Sequence, residues 1–183
     1  ITAEAVLYRL RGGERVPLAD GSSISPGDHL YLELEAAERL HVYVLDEDEQ
    51  GETFALFPVP GTEQLNPLAP DQRHRLPGKR DGAPFDWVVT SSGGRDHVLV
   101  IASRKPLPEL EQRISALAPA DAGRPVAYAR IGDEAIATLR GIGGMAPAPE
   151  GAARESQLDG LARALAARRE GGIWVRTFSL QNR

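Results

Sequence analysis

His29-Leu30-Tyr31-Leu32-Glu33-Leu34-Glu35-Ala36 alternates without a break, with Leu30, Leu32 and Leu34 on one side and Tyr31, Glu33 and Glu35 on the other. A period of two marks a strand with one face in a core and the other toward water. Leu40 to Leu45 and Glu52 to Phe57 follow as apolar runs rich in Val, Tyr and Phe, joined by Asp46-Glu47-Asp48-Glu49-Gln50-Gly51. That pair reads as a β-hairpin. Phe85 to Val89 and His97 to Ser103 are again strand-like, separated by the turn Ser91-Ser92-Gly93-Gly94. The second of these is apolar on both faces from Val98 to Ala102, as expected of a strand at the centre of a sheet. At the two ends of the chain, Ala3 to Leu10 and Ile173 to Leu180 also read as strands, the latter with Trp174, Phe178 and Leu180 on one face. A pairing of first with last strand, bringing the termini together, is expected.

Between Pro58 and Gly82, prolines at 58, 60, 67, 70 and 77 remove backbone donors and fix φ. This predicts a long loop with at most a short strand at Arg73 to Leu76. After Pro106 the period changes: Leu107, Leu110, Ile114 and Leu117 stand at helical spacing, with Pro108 in the first turn and an end near Ala118. Val126 to Ile131 fits a strand or strap, Asp133 caps a short helix to about Arg140, and Gly141 to Pro149 is a linker. Ala152 to Arg169 is a helix with an apolar stripe at Leu158, Leu161, Ala162 and Leu165, stopped by Gly171-Gly172. Strands early and helices late predict a mainly β fold, an antiparallel β-sandwich or open barrel with a few helices, mostly C-terminal. Residues 1–118 form the β-rich domain, and 119–183 a helical appendage and final strand packed on it.

The 183 residues suit one domain of ordinary size, and 42% hydrophobic with 26% charged residues place the chain among globular proteins. A net charge of -5 without a basic cluster argues against nucleic acid. No apolar run approaches the roughly 20 residues of a membrane span, so direct membrane insertion is not expected. The chain starts at Ile1 rather than Met, as expected of a processed or excised part of a longer protein. Without cysteine there is no disulfide, thiolate metal site or Cys nucleophile.

Asp46-Glu47-Asp48-Glu49-Gln50-Gly51 imitates the opening of a calcium loop, which makes Asp46 and Asp48 metal candidates. The twelfth position is Phe57 instead of a bidentate Glu, and a strand follows instead of a helix, so the plainer reading is an acidic hairpin turn. His29, His41, His74 and His97 show no metal-ligand spacing. Ser22-Ser23 and Ser91-Ser92 read as loop serines, and no G-x-S-x-G turn occurs. Gly141-Ile142-Gly143-Gly144 lacks the strand and helix that flank a phosphate-binding loop. Trp87, Trp174, Tyr31 and Tyr43 could line a stacking surface, although aromatics on strands are more often core. No catalytic residue and no cofactor are expected; the binding candidates are Tyr43, Phe57, Asn66, Arg75 and Trp87.

Taken in order, Ile24-Ser25-Pro26-Gly27-Asp28 before an alternating strand, His41-Val42-Tyr43-Val44-Leu45, Gly51, Ala55-Leu56-Phe57-Pro58, Leu65-Asn66-Pro67-Leu68, Arg75-Leu76-Pro77, Phe85, and Val98 to Ser103 with Pro106 form a pattern. It resembles the bacterial family called domain of unknown function 4384, over roughly residues 15–110. The resemblance implies a β-rich module, often C-terminal to serine/threonine kinases, caspase-like proteases or membrane-anchored regulatory segments, with no activity established for the family and no functional residue to carry over.

These readings favour a non-catalytic sensory or protein-interaction domain of a larger bacterial, envelope-associated regulatory protein, holding a protein partner or an attached domain through the exposed sheet or the Pro58–Gly82 loop. An extracytoplasmic setting is expected. A metal-dependent or hydrolytic enzyme with a site assembled from His41, His97, Asp46 and Asp48 is the alternative, and a purely structural bracing module a third.

Overall fold

The computed structural model describes residues 1–90, 92–116, 129–132, 136, 156–167 and 172–183. The expected helix from Asp133 to Arg140, the linker 141–149 and the glycine run within it lie outside the described residues, Ile136 excepted. Along the chain the elements are β1 (Ala3–Arg11), β2 (Glu14–Leu18), β3 (Ser23–Ile24), β4 (His29–Ala36), β5 (His41–Glu47), β6 (Thr53–Phe57), β7 (Arg73–Leu76), β8 (Gly78–Arg80), β9 (Ala83–Phe85), β10 (Trp87–Val88), β11 (Arg95–Ser103), α1 (Pro108–Ser115), β12 (Ala129–Ile131), α2 (Gln157–Ala166) and β13 (Ile173–Asn182).

The first sheet runs β10-β4-β1-β2, with β7 also pairing β4. The second runs β12-β6-β5-β11-β13-β3. Among the described residues, all strand pairs are antiparallel except β13 with β3. The alternation in β4 does what its period predicts: Leu30, Leu32 and Leu34 enter the core between the sheets, where they meet Val42, Val44, Phe57, Val98, Val100 and Phe178 of the second sheet. Tyr31 is buried on the outer face instead, stacked on Tyr8 with ring centroids 5.2 Å apart. Arg15 lies 3.8 Å over the Tyr8 ring and 5.8 Å from that of Tyr31, and Arg75 lies 4.1 Å over Tyr31, so two guanidinium groups pack on the aromatic pair.

The second sheet is apolar on both faces because it is covered on both. Tyr43, Leu45, Leu99 and Ile101 face away from the first sheet into a second core filled by Leu107, Leu110 and Ile114 of the α1 region, Ile131, Ile136, and Leu158, Leu161 and Leu165 of α2. The molecule thus has three layers, sheet on sheet on helices, and no helix among the described residues is long and apolar enough to cross a membrane.

One expected contact is corrected. The last strand, β13, pairs with β11 and β3, while β1 pairs with β2 and β4, so the first and last strands belong to different sheets. Period two assigns faces to a strand but says nothing about its neighbour. The chain after β1 turns back at once through Gly12-Gly13, both at positive φ, so the position beside β1 goes to β2.

Asp28 and Glu47, both buried carboxylates, anchor neighbouring elements to each other. Asp28, 3% exposed, receives Arg11 through Nε at 2.8 Å and Nη2 at 3.0 Å, and accepts the Ser25 N–H at 2.9 Å. This ties the Pro26-Gly27 turn, with Gly27 at φ 88, to β1. Glu47, 5% exposed, stands at the end of β5 beneath the N-terminus of α2. It accepts from Ser156 Oγ at 2.8 Å, Gln157 N at 3.0 Å and Leu158 N at 2.8 Å. Ser156 also caps the helix by accepting from Asp159 N. A carboxylate at helix N–H groups that would otherwise be orphaned, at the positive end of the dipole, is a favourable pairing.

Glu47→Ala removes the acceptor of three hydrogen bonds at once, two of them buried, and is expected to lower stability by about 3 kcal/mol. Urea denaturation read by circular dichroism measures the loss, and hydrogen exchange should show the α2 amides losing protection before those of β11.

Candidate functional site

On β5 and β11 alternate residues face opposite layers. Val42 and Val44 point between the sheets, so Asp46 does too; Val98 and Val100 point there, and with them Asp96. On β13 the same parity carries Phe178 and Leu180 into the core and places Asn182 at its margin. Because Val98 stands opposite Asp46 and Leu180 opposite Asp96, the three polar residues gather at one end of the sandwich. There the apolar filling stops and a cavity of about 270 Å³ opens between the sheets. Its walls include Ile24, Leu30, Leu56, Trp87, Val98 and Leu180, and its polar lining comprises Asp46, Asp48, Asp96, Asn182 and Thr90. A more polar cavity of about 470 Å³ adjoins it on the helix side, bordered by Glu47, Glu49, Arg95, His97, Ser156 and Arg183 and sharing Asp48 and Asn182 with the first.

The electrostatics follow from that crowding. Desolvation pushes the Asp46 carboxyl well above the usual carboxylate range, and the like charges of Asp96, Asp48 and Glu47 push it further. Asp96 is raised as well, first by burial and then by Asp48 and Glu49, against the lowering effects of the Asn182 hydrogen bond and of nearby His97. Two carboxyls that resist ionisation side by side are the most perturbed acids among the described residues.

The expected site residues divide sharply. Trp87, Asp46 and Asp48 come together at this end, with Trp87 buried and its Nε1 donating to Leu56 O at 2.9 Å. Asp48 is partly committed to the hairpin turn, where its Oδ1 accepts the Glu52 N–H at 2.8 Å and its carbonyl the Gly51 N–H. The calcium-like opening therefore folds as an acidic turn, and no group of three or more His, Cys, Asp or Glu suited to a metal occurs among the described residues. Tyr43 lies in the second core with its hydroxyl donating to Glu111 and accepting from Leu107 N; burial raises its pKa. Phe57 is sealed in the first core. Asn66 grips β5 from the side, exchanging hydrogen bonds with both Val42 N and Val42 O. Arg75 donates to Phe85 O, pairs with Asp86 and covers Tyr31. Tyr43, Phe57, Asn66 and Arg75 thus serve the scaffold.

His41 and His97 do not meet. His41 stands opposite Ser103 at one end of the β5–β11 pair and His97 opposite Glu47 at the other, about 20 Å apart by strand rise. His41 is 3.5 Å from Glu111, and His97 is 3.4 Å from Asp159 on the helix side, the face opposite Asp46. Asp96 and Asn182 were not singled out by sequence reasoning. The available signal was a charged residue in phase with Val98 and Val100, two positions before a run that is apolar on both faces.

The raised acids set a pH dependence. In the unfolded chain these carboxyls ionise at about pH 4, whereas in the native chain they hold their protons to higher pH. The native state then binds more protons, so their contribution to stability falls as pH rises from the unfolded pKa through the native one. Asp46→Asn removes this loss. Its stability relative to the wild type should increase as pH rises above about 4, levelling off once the native carboxyl has ionised, in a urea-denaturation series, and a flat difference curve would refute the assignment.

No curated protein and no solved structure matches this chain. The segment from β3 to the residues just after β11 contributes Asp46, Asp48, Trp87 and Asp96 to the cavity, leaving Asn182 and Leu180 to come from β13. That same segment, residues 23–106, matches the family model described as Domain of unknown function (DUF4384), the family its strand and proline pattern resembles.

Proposed function

We propose that this chain is a non-catalytic interaction module of a larger bacterial regulatory protein, and that it holds its partner at the open end of the sandwich. The observation that carries the reading is the cavity itself: a concave apolar surface with a few converging polar groups, built on strands of a rigid two-sheet frame.

The non-catalytic part rests on how candidate reactive groups are spent. Ser156, the serine bordering the polar cavity, donates its hydroxyl to Glu47 and accepts from Asp159 N as a helix cap. His97 faces Asp159, and His41 lies at the far end of the strand pair. The Pro58–Gly82 loop is a lesser candidate for the partner surface. Leu65 is 77% exposed, but Val59 and Leu68 are buried and Asn66 is bound to β5. Bracing of an attached domain remains the reading to fall back on when no partner engages either surface.

Crosslinked affinity capture from an extract of the source bacterium tests this with three baits: the intact chain, Thr90→Trp to plug the cavity, and Leu65→Asp to spoil the loop. One partner held by the intact and Leu65→Asp baits and lost by Thr90→Trp is the expected result. Loss with Leu65→Asp alone would transfer the function to the loop, and capture by none would favour bracing.

A further inference from the structure

The polar groups at the end cavity are almost all of one kind. Asn182 is only 7% exposed. Its amide N–H₂ serves Asp96, while its Oδ1 has no hydrogen-bond partner among the described residues. Asp96 Oδ2 is likewise shut off from solvent and unpaired among the described residues. Asp46 adds a further carboxyl, facing the same space. Against these acceptors the cavity offers no Lys, Arg or His among its described lining residues. The Trp87 N–H is already given to Leu56 O. Arg95 and Arg183 border the adjoining polar cavity instead. Buried acceptors without donors are rare in folded proteins because each costs the hydration it has lost.

A complementary ligand must therefore bring donors, and several of them, on a compact head. It must also bring positive charge, since Asp46 suffers desolvation and the repulsion of Asp96, and Asp96 suffers desolvation and the repulsion of Asp48 and Glu49. The remaining walls are aliphatic and aromatic, so the rest of the ligand is apolar. At about 270 Å³ the space lies just under the roughly 300 to 1,000 Å³ typical of drug-sized sites. That suits a single side chain or a short alkyl amine.

We propose that the end cavity is a receptor for an aliphatic cation, an alkylammonium or alkylguanidinium whose stem packs on Leu30, Leu56 and Trp87 and whose head donates to Asp46, Asp96 and the Asn182 carbonyl. The inference rests on the reading of this end as the binding surface and adds the chemistry it selects. Charge-assisted hydrogen bonds to a head held in a water-poor pocket supply selectivity over a neutral ligand of equal shape. The same chemistry is found on the lysine and arginine side chains of a partner and on free amines.

Titration of the full chain, labelled with ¹⁵N and followed at the Trp87 indole and Asn182 side-chain amide signals, tests it. The probes are n-butylammonium, n-butylguanidinium, neutral n-pentanol, and a flexible Gly-Ser peptide carrying one arginine. Saturable shifts with a cation at least about tenfold tighter than pentanol, weakened at least about fivefold by Asp96→Asn and further by the Asp46→Asn/Asp96→Asn pair, are expected. Tighter binding of the peptide than of the free cations points to a partner side chain, and the reverse to a free amine; either supports the receptor. Equal binding of pentanol, binding unchanged in the double variant, or no saturable shift with any cation would overturn it. The double variant lacks two destabilising charges, so its fold is expected to survive, and its own spectrum verifies this. If cations fail while Thr90→Trp still abolishes partner capture, only the cation chemistry is wrong; if both fail, the choice of surface is wrong as well.

Discussion

The burial of β5 and β11 on both faces is the constraint from which the rest of the architecture follows. Val-Tyr-Val-Leu and Val-Leu-Val-Ile-Ala put large apolar side chains on both sides of two adjacent strands. Each side has to be covered or left in water at about 25 cal/mol for every Å² of apolar surface. One side is closed by the first sheet through the leucines of β4, the other by α1, α2, Ile131 and Ile136. The helical layer is therefore as necessary to the second sheet as the first sheet is. Charged residues on these strands are pushed to where coverage ends, and it is there that Asp46, Glu47 and Asp96 are found.

Asp46 and Glu47 show how one strand end serves two purposes. They are consecutive, so pleating sends them to opposite layers. Glu47 reaches a set of donors that the helix N-terminus cannot otherwise satisfy, and its charge is fully used. Asp46 reaches a space where its neighbours are acids and hydrocarbon, and its charge is opposed. Residue type is nearly the same and strand position differs by one; the surroundings alone divide an anchor from a group left in deficit.

Much of the fold was legible because its main signals are local. The alternation of β4, the hairpin of β5 and β6, the double-faced apolar run of β11, and the stripe of Leu158, Leu161 and Leu165 each report burial within a few residues. Pairing partners are not local. The last strand carries its faces in its sequence, yet nothing in Ile173 to Leu180 distinguishes β1 from β11 as its neighbour. Short strands such as β2, β8 and β9 exist through their ladders and left no period to read. The candidate site was half legible for the same reason. Trp87, Asp46 and Asp48 stand out by type, whereas Asn182 acquires meaning only because β13 lies beside β11 and delivers it next to Asp96. Tyr43, Phe57, Asn66 and Arg75 drew notice by type too, and proved to be consumed by packing and backbone support.

The outer edge of the first sheet is β2, reading Glu-Arg-Val-Pro-Leu. Pro17 presents no N–H in either direction, and Glu14 and Arg15 place charge on both sides of the strand's start. An incoming strand from a second copy would find a ladder with a missing rung and would have to bury charge to extend it. This edge of the first sheet is thus made a poor template for strand addition by the composition of five residues.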